Sequence, residues 1–167
     1  MKRIAVISDT HSLDWEDVNC DMKTEIRNAD IAIHCGDIVR QSVVDGFLNS
    51  SKEGHIVHGN SDPVEIRESL PYTKIITVEG VKIGITHPAW AGPEFPPEEL
   101  FKDFEEKPDI ILFGHTHEPL NKYIQGTLFV NPGQGYKSFM VDGTMAFLTI
   151  EEGKFEAEIK IIEKGKP

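Results

Sequence analysis

The sequence is poor in cysteine and in long apolar runs, and both shortages exclude classes of protein. Only two of the 167 residues are cysteines, Cys20 and Cys35, and their spacing forms neither a C-x-x-C pair nor a disulfide framework. This favours a reducing compartment, and we expect a cytoplasmic protein. No apolar stretch approaches the ~20 residues of a membrane span, and the run over residues 4–7 is too short for a secretion signal. We therefore expect no contact with a membrane.

Basic residues are also scarce. They number 17 against 28 acidic residues, which gives a formal net charge of -11. This charge opposes nonspecific binding to long nucleic acids or to anionic lipid. A small anionic substrate would then need a local source of positive charge, and bound metal ions can supply it.

The first half of the chain alternates short apolar runs with helix-like segments. Such alternation favours parallel strands joined by crossover helices. With 39% apolar residues, the chain can build one buried core but is too short for two comfortable domains, so we expect one domain over residues 1–167. The predicted elements are strands at 4–8, 31–34 and 55–57, and helices at about 16–27, at 42–48 and from Pro63.

The second half turns toward hairpins and short strands. Strands at 75–78 and 81–85 flank a turn at Glu79-Gly80, and a helix over 98–104 follows a proline-rich stretch. Further strands are predicted at 109–113, 128–131, 139–141, 145–150 and 155–161, with residues 163–167 fraying. The alternation in 155–161 is typical of a half-exposed edge strand, which could pair between subunits in a homo-oligomer.

Five polar blocks each follow a predicted strand. Because the carboxyl ends of parallel strands lie at one edge of a sheet, we expect the blocks to meet at one rim. They contain histidine, aspartate and asparagine, which are metal-ligand residue types. The blocks are Asp9-Thr10-His11, His34-Cys35-Gly36-Asp37, Gly59-Asn60-Ser61-Asp62, Thr86-His87 and Gly114-His115-Thr116-His117.

The first two blocks are suited to hold one ion. Asp9 and His11 are two residues apart, so in an extended backbone their side chains would point the same way and could share a metal. Asp37 follows Gly36, whose missing side chain would let backbone and ion approach closely. A carboxylate has two oxygens, so Asp37 is our predicted bridging ligand between two cations.

The remaining blocks predict a second ion. The spacing of His115 and His117 places both on one side of their loop, while Asn60 and His87 come from two other strand ends. A mixed nitrogen and oxygen shell suits Mn, Fe, Co, Ni or Zn better than calcium. Two divalent ions about 3.5 to 4 Å apart, with a hydroxide bridging them, would leave the site positively charged and promote in-line attack on phosphorus.

In order, these blocks follow the pattern D-x-H, G-D, G-N-x-[DE], H and G-H-x-H. The chain therefore resembles the calcineurin-like metallophosphoesterase superfamily over most of its length. Its length and the Asn131-Pro132-Gly133 block are similar to the small single-domain phosphodiesterase branch, which includes the small subunit of retromer. The resemblance implies an α/β fold, a four-layer αββα sandwich with two mixed β-sheets and the metals at the loop rim.

The resemblance also implies roles for individual residues. Asp37 would bridge two divalent transition-metal ions, and we favour manganese over nickel, cobalt, iron and zinc. Asp37, Asn60 and His87 would be the catalytic residues. The ligands implied are Asp9, His11, Asp37 and His117 for the first ion, and Asp37, Asn60, His87 and His115 for the second.

The chain departs from the family pattern at three places. Ser61 stands where many members carry a histidine proposed to protonate the leaving group, and a serine hydroxyl is a poor general acid near neutral pH. This favours phosphodiesters with good leaving groups over a broad range of monoesters. His87-Pro88-Ala89 replaces a common His-Gly-His, and Gln134 replaces a common serine, so we expect the surface facing the substrate to differ.

Several polar residues have two interpretations. His34, His55 and His58 are expected to be core or surface residues, with His34 alternatively supporting a ligand. Cys35 is expected to pack in the core rather than act as a nucleophile. Asp62 would either orient a ligand or cap the helix after it.

Two functions from different classes remain open. The leading hypothesis is a metal-dependent phosphodiesterase acting on a small diester, and the alternative is a non-catalytic protein-binding scaffold of the same fold. The presence of all seven predicted ligands favours the enzyme. Residues 90–95 would form either an aromatic lid over the site or a simply packed loop.

Overall fold

Ten strands form the framework of the protein, and helices cover its outer faces. The structure is a computed structural model that describes residues 1–92 and 94–167. Its strands are β1 (Lys2–Ile7), β2 (Ile31–His34), β3 (Gly54–Ile56), β4 (Thr73–Val78), β5 (Val81–Thr86), β6 (Ile110–Phe113), β7 (Leu120–Ile124), β8 (Thr127–Asn131), β9 (Gly143–Glu151) and β10 (Lys154–Glu163). Its helices are α1 (Cys20–Asn28), α2 (Gln41–Ser50) and α3 (Val64–Ser69), with 3-10 turns at Trp15–Asp17 and Pro97–Asp103.

The strands form two mixed five-stranded sheets. The first has the order β10-β9-β1-β2-β3, in which β1, β2 and β3 run parallel and β9 is antiparallel to β1. The second has the order β4-β5-β6-β8-β7, in which β5, β6 and β8 run parallel. Parallel strands thus occupy the middle of the second sheet and one half of the first, from β1 to the edge at β3.

Alternation along the strands distributes the core into layers. In β1, Ile4 and Val6 face the second sheet, where they join Ile83 and Ile85 of β5 in the largest cluster of buried residues. Ala5 and Ile7 point the opposite way and pack under α1 and α2. The outer face of the second sheet is covered by the 3-10 turn at Pro97–Asp103, whose Leu100 packs against Phe113 and Phe129. The predicted four-layer sandwich is confirmed, with a 3-10 turn as one outer layer.

Some predicted elements differ from the observed ones. The helix predicted over 16–27 is a 3-10 turn followed by α1, which begins after Asn19, whose side chain accepts hydrogen bonds from two backbone N–H groups. Residues 139–141 are not a strand but an exposed turn with isolated bridges. The tail does not fray throughout, because Gly165 N–H donates to Asp142 at 2.9 Å and Met140 N–H donates to the carbonyl of Lys166.

The edges of the sheets have different surroundings. The predicted edge strand is β10, which lies at the end of its sheet beside β9. Asn121 of β7 donates a side-chain hydrogen bond to the carbonyl of Ala157 of β10 at 2.8 Å, so the two sheets also meet along this side. Among the described residues, no helix combines the length and apolar character that a membrane crossing requires.

Candidate metal centre

The seven predicted ligands come together at one rim of the sandwich. Asp9 and His11 follow β1, Asp37 follows β2, and Asn60 lies in the loop after β3. The second sheet supplies His87 directly after β5, and His115 and His117 after β6. Each side chain therefore sits where a parallel strand ends, and the site lies between the two sheets.

Asp9, His11 and His117 form the first group of the centre. Asp9 Oδ1 lies 3.3 Å from His117 Nε2 and 3.9 Å from His11 Nε2. One potential ligand atom from each of the three residues lies within 4.8 Å of the others, a spacing that can hold a metal ion. His11 Nε2 also lies 3.5 Å from Asp37 Oδ2, so Asp37 borders this group as well.

Asp37, Asn60, His87 and His115 form the second group. His87 Nε2 lies 3.4 Å from Asp37 Oδ2 and 3.0 Å from Asn60 Oδ1. His115 Nδ1 lies 3.1 Å from the same Asn60 oxygen. Asp37 Oδ2 is thus close to one histidine of each group, which is the position that a bridging carboxylate requires.

The atoms facing the centre have the chemistry of a cation site. Asp9 Oδ1 and His11 Nε2 are buried side-chain atoms with no hydrogen-bond partner in the part of the chain that the structure describes. An unpaired buried acceptor is costly, because its hydration is lost without replacement. A divalent cation would satisfy both atoms, so the residues present fit a metal.

Contacts on the far side of three imidazoles select which nitrogen faces the centre. His87 Nδ1 lies 2.7 Å from the carbonyl of Cys35, and His115 Nε2 lies 3.0 Å from the carbonyl of Ala91. A carbonyl can only accept, so these nitrogens carry hydrogen, and in the neutral imidazoles His87 Nε2 and His115 Nδ1 are acceptors. Both nitrogens point at Asn60 Oδ1. These three atoms each offer a lone pair to the same point, as the ligands of a cation do.

Gln134 supports His117 in the same way. Its Oε1 lies 3.3 Å from His117 Nδ1. Its Nε2 donates to the carbonyl of Tyr136 at 2.7 Å and to Ser138 Oγ at 3.1 Å, which holds the amide oxygen toward the imidazole. His117 is therefore oriented with Nε2 toward Asp9.

The two carboxylates are also held on their outer oxygens. Asp9 Oδ2 accepts from Ser8 Oγ at 2.6 Å and from the backbone N–H of His115 at 3.1 Å. Asp37 Oδ1 accepts from the backbone N–H of Ser61 at 2.8 Å. In each case the other oxygen remains directed into the centre.

Charges within the centre shift its pKa values in a consistent direction. Burial alone would raise the pKa of Asp9, but His117 and His87 outweigh it and lower that pKa. Burial likewise opposes ionisation of Asp37, yet its contact with His87 lowers the Asp37 pKa well below the usual range. Burial disfavours protonated His87, but Asp37 and Asp9 raise its pKa, and Asp9 also raises the pKa of His117. Both carboxylates are thus anionic at neutral pH and attract positive charge.

Five ligand residues have a backbone conformation that non-glycine residues rarely adopt. The φ angles are 51° at Asp9, 44° at His11, 57° at Asp37, 84° at His115 and 61° at His117. Such left-handed residues are uncommon, and they concentrate at functional sites. The expected extended backbone between Asp9 and His11 is therefore wrong, although their side chains do face the same point.

Two glycines of the motifs make room for this packing. Gly36 has a φ of 100°, and a Cβ there would lie 2.6 Å from His87 Nδ1. A Cβ at Gly114 would lie 2.1 Å from Ser8 Oγ and 2.7 Å from Asp9 Oδ2. Side chains at either position would displace atoms that hold the ligands.

The structure distinguishes between the two interpretations of several polar residues. Asp62 is buried and accepts three backbone hydrogen bonds from the loops after β2 and β3. The N-cap of α3 is Pro63, so Asp62 orients these loops and does not cap the helix.

His34 is buried, and its Nε2 lies 3.0 Å from Oγ1 of Thr10, the residue between Asp9 and His11. Burial lowers the pKa of His34 to about 3. Burial also raises the pKa of the Cys35 thiol, so Cys35 packs in the core as expected and is a poor nucleophile. His55 pairs with Glu53 at 2.9 Å, and His58 packs near Tyr72 with ring centroids 5.8 Å apart.

The loop after His87 packs against the strand ends. Trp90 donates its indole N–H to Asp103 at 3.2 Å, and Asp103 also accepts from Thr86 Oγ1 at 2.8 Å. The ring of Phe95 packs against Phe113 with centroids 6.1 Å apart. Pro93, within the segment proposed as a lid, lies outside the described residues. The contacts of Trp90 and Phe95 are those of a packed loop.

Supporting residues were harder to find from sequence than ligands. Gln134 and the carbonyl of Ala91 act through contacts between distant parts of the chain. Ser8 contacts its neighbour Asp9, but a serine at a strand end carries no distinctive signal. The sequence marks Gln134 only as a departure from the family pattern. Asp62 had a local signal, since it completes the Gly59-Asn60-Ser61-Asp62 block.

Comparisons with known proteins agree with this geometry. Vps29 of Entamoeba histolytica, solved in complex with zinc, has a TM-score of 0.72 at 21% identity and covers 95% of this chain and 98% of its own, which shows the fold. A phosphodiesterase of Methanocaldococcus jannaschii is 29% identical over 146 residues, covering 79% of this chain and 83% of the relative. A probable metallophosphoesterase of the same organism is 30% identical over 163 residues, covering 96% of this chain and 82% of the relative. Residues 1–153 match the sequence model of the calcineurin-like phosphoesterase superfamily domain. The chain therefore belongs to the calcineurin-like phosphoesterase superfamily.

Proposed function

We propose that the protein is a metal-dependent phosphodiesterase with a binuclear centre. The observation that carries the proposal is the convergence of seven predicted ligand side chains from both sheets, together with the buried atoms Asp9 Oδ1 and His11 Nε2, which have no hydrogen-bond partner among the described residues. The reaction consumes one phosphodiester and one water and yields a phosphomonoester and an alcohol. The bond from phosphorus to the leaving oxygen breaks as the bond to the water oxygen forms.

The protein residues hold and orient the reacting groups. Asp9, His11, Asp37 and His117 would hold one ion, and Asp37, Asn60, His87 and His115 the other. When bound, divalent ions supply Lewis-acid polarisation of the phosphoryl oxygen and lower the pKa of an attacking water. Asn60, His87 and His115 face the second position together, and their fixed orientation reduces the reorganisation that substrate binding would need.

The lack of a general acid favours diesters with good leaving groups. Ser61 lies beside Asn60, and its backbone N–H is occupied by Asp37. Its hydroxyl is too weak an acid to protonate an alkoxide near neutral pH. The relative from M. jannaschii that bears the name phosphodiesterase supports the same substrate class.

The ligand set limits the metal. Histidine nitrogen with carboxylate and amide oxygen suits manganese, iron, cobalt, nickel or zinc. We propose manganese as the working ion, because three of the seven ligands offer oxygen. Comparison of the five metals in one assay would rank them.

We further propose that residues 1–167 act as one domain in the cytoplasm. Both cysteines are free, with Cys20 exposed and Cys35 buried, as a reducing compartment would leave them. The edge strand β10 is the surface through which a homo-oligomer would form, by pairing with its counterpart in another subunit.

A protein-binding scaffold of the same fold is the second candidate. The likeness to Vps29 supports it, because the same sandwich then occurs in a protein named for vacuolar sorting rather than for hydrolysis. A zinc ion was bound in that protein, so metal binding alone does not separate the two candidates. Turnover does separate them.

The test is metal-restored hydrolysis. The protein is stripped with chelator, reconstituted with each of the five metals, and assayed with bis-p-nitrophenyl phosphate and p-nitrophenyl phosphate. We expect diester hydrolysis to return with metal and to exceed monoester hydrolysis. Asp37→Asn should lower it about 100-fold or more, whereas Asp45→Asn, on the exposed face of α2, should leave it unchanged. Inactivity toward the diester with every metal would favour the scaffold.

A further inference from the structure

A cavity of about 210 Å³ lies between the loop after β5 and the loop after β6. Among the described residues, its apolar lining includes Phe95, Phe113, Pro119 and Leu120. Phe113 is almost fully buried and belongs to the cluster under the second sheet, so this wall is a fixed part of the fold.

Two loops that line the cavity also contribute to the proposed centre. Thr116 lines it and lies between His115 and His117 in the chain. The opposite wall comes from the loop that contains Phe95, and the carbonyl of Ala91 in that loop contacts His115 Nε2 at 3.0 Å. The two loops that hold His115 thus also form walls of the cavity, so the cavity borders the proposed centre.

Size and charge together define the group that this cavity accepts. An apolar cavity of ~150 Å³ is known to hold a benzene molecule, so the volume here admits one ring with a small substituent. Glu94 and Glu118 are exposed at its edge, and none of the lining residues that the structure describes is basic. Carboxylates repel an anionic substituent and attract an amine or another hydrogen-bond donor.

We propose that this cavity binds one ester arm of the substrate, a ring-sized group that carries an amine or another hydrogen-bond donor, and that it disfavours arms with further phosphate or carboxylate groups. The inference rests on the proposed function of the neighbouring centre. It narrows the substrate class to diesters with a compact, uncharged or cationic arm.

Kinetics with a matched series test the charge preference. Three diesters share a p-nitrophenolate leaving group and carry phenyl, 4-(aminomethyl)phenyl or 4-(carboxymethyl)phenyl as the second arm. We expect kcat/KM for the amine to exceed that for the carboxylate by about tenfold or more. Glu118→Lys should reverse this order, and Glu68→Lys, which makes the same charge change on α3, should not. Equal kcat/KM for the three arms would overturn the proposal.

A binding experiment separates this proposal from the proposed function. The zinc-loaded, isotope-labelled protein is titrated with benzylamine and with phenylacetate, and NMR shifts are followed at Phe95, Phe113 and Leu120. We expect saturable shifts with benzylamine, about tenfold weaker binding of phenylacetate, and loss of the benzylamine shifts in Leu120→Trp. Saturable benzylamine binding without any diester turnover would contradict the proposed function and leave the cavity assignment standing. Diester turnover without shifts at these three residues would contradict the cavity assignment and leave the proposed function standing.

Discussion

The carboxylate of Asp62 accepts a hydrogen bond from the backbone N–H of Asp37 at 3.1 Å, although the two residues belong to different loops. The same carboxylate accepts from the N–H groups of Gly59 at 2.7 Å and Val39 at 2.7 Å. One buried side chain thus ties the loop after β2 to the loop after β3. The proposed ligands Asp37 and Asn60 owe their relative position to it.

Replacement of Asp62 should destabilise the protein. Asp62→Ala leaves three backbone N–H groups without their acceptor, and we expect the free energy of unfolding to fall by about 2–4 kcal/mol. Urea denaturation at neutral pH measures it. Asp45→Ala, an exposed aspartate on α2, should change stability by less than about 0.5 kcal/mol. A similar small effect for both variants would show that Asp62 does not hold the loops.

Gln134 should tune metal affinity through His117. In Gln134→Ala the imidazole loses its partner at Nδ1, and we expect metal affinity to fall about 10–100-fold. Titration calorimetry with zinc gives the dissociation constant without reference to activity. Gln41→Ala, on the exposed face of α2, is the matched control. Unchanged affinity in Gln134→Ala would mean that the contact is incidental.

Local signals explain what could be predicted from sequence. The strand at 31–34 and the ligand blocks were found because apolar runs and the polar residues that end them are adjacent in the chain. By contrast, β7 was missed, since Asn121, Lys122 and Tyr123 are exposed and form no apolar run. Its pairing with β8 across the turn at Gln125-Gly126 stabilises it instead.

Tertiary contacts explain what could not be predicted. Gln134 reaches His117 across 17 positions, so no local pattern predicts its role. Asp62 does complete a local block, but its partner Asp37 lies 25 positions away and could not be identified from that block. The left-handed backbone of the ligand residues was also hidden, because propensities disfavour it and only the surrounding packing imposes it. Residues 139–141 misled the prediction because apolar side chains there are exposed rather than paired in a sheet.

Stability of the metal-free protein should fall with acid because of His34. Its pKa falls from 6.5 when unfolded to about 3 when folded, so the stability it contributes is complete above 6.5 and is lost as the pH drops toward 3. His87 and His117, whose pKa values are raised, contribute a constant amount below 6.5. Asp9 and Asp37 have lowered pKa values and lose their contribution only as the pH falls below 3.8.

Between about pH 6 and about pH 4.5, His34 is therefore the group of the centre whose contribution to stability changes with pH. We expect the free energy of unfolding to fall by about 1.4 kcal/mol for each pH unit there. Urea denaturation of wild type and His34→Gln measures it, because glutamine can still donate to Thr10 but does not titrate. The same slope in His34→Gln would refute the assignment.

A histidine at position 61 should widen the range of leaving groups. General acid catalysis contributes about 10²–10⁴-fold where the leaving group needs a proton, so we expect Ser61→His to raise kcat/KM for a dialkyl phosphate about tenfold or more. The p-nitrophenyl diester, whose leaving group needs no proton, should respond far less. Ser69→His on α3 is the control. Equal changes for both substrates would argue against a missing general acid.

The most direct test of the central claim is anomalous diffraction from crystals of the manganese-reconstituted protein. We expect two manganese peaks about 3.5–4 Å apart, one among Asp9, His11, Asp37 and His117, the other among Asp37, Asn60, His87 and His115. An anomalous map with no peak between these side chains, or with manganese bound only elsewhere on the surface, would contradict it.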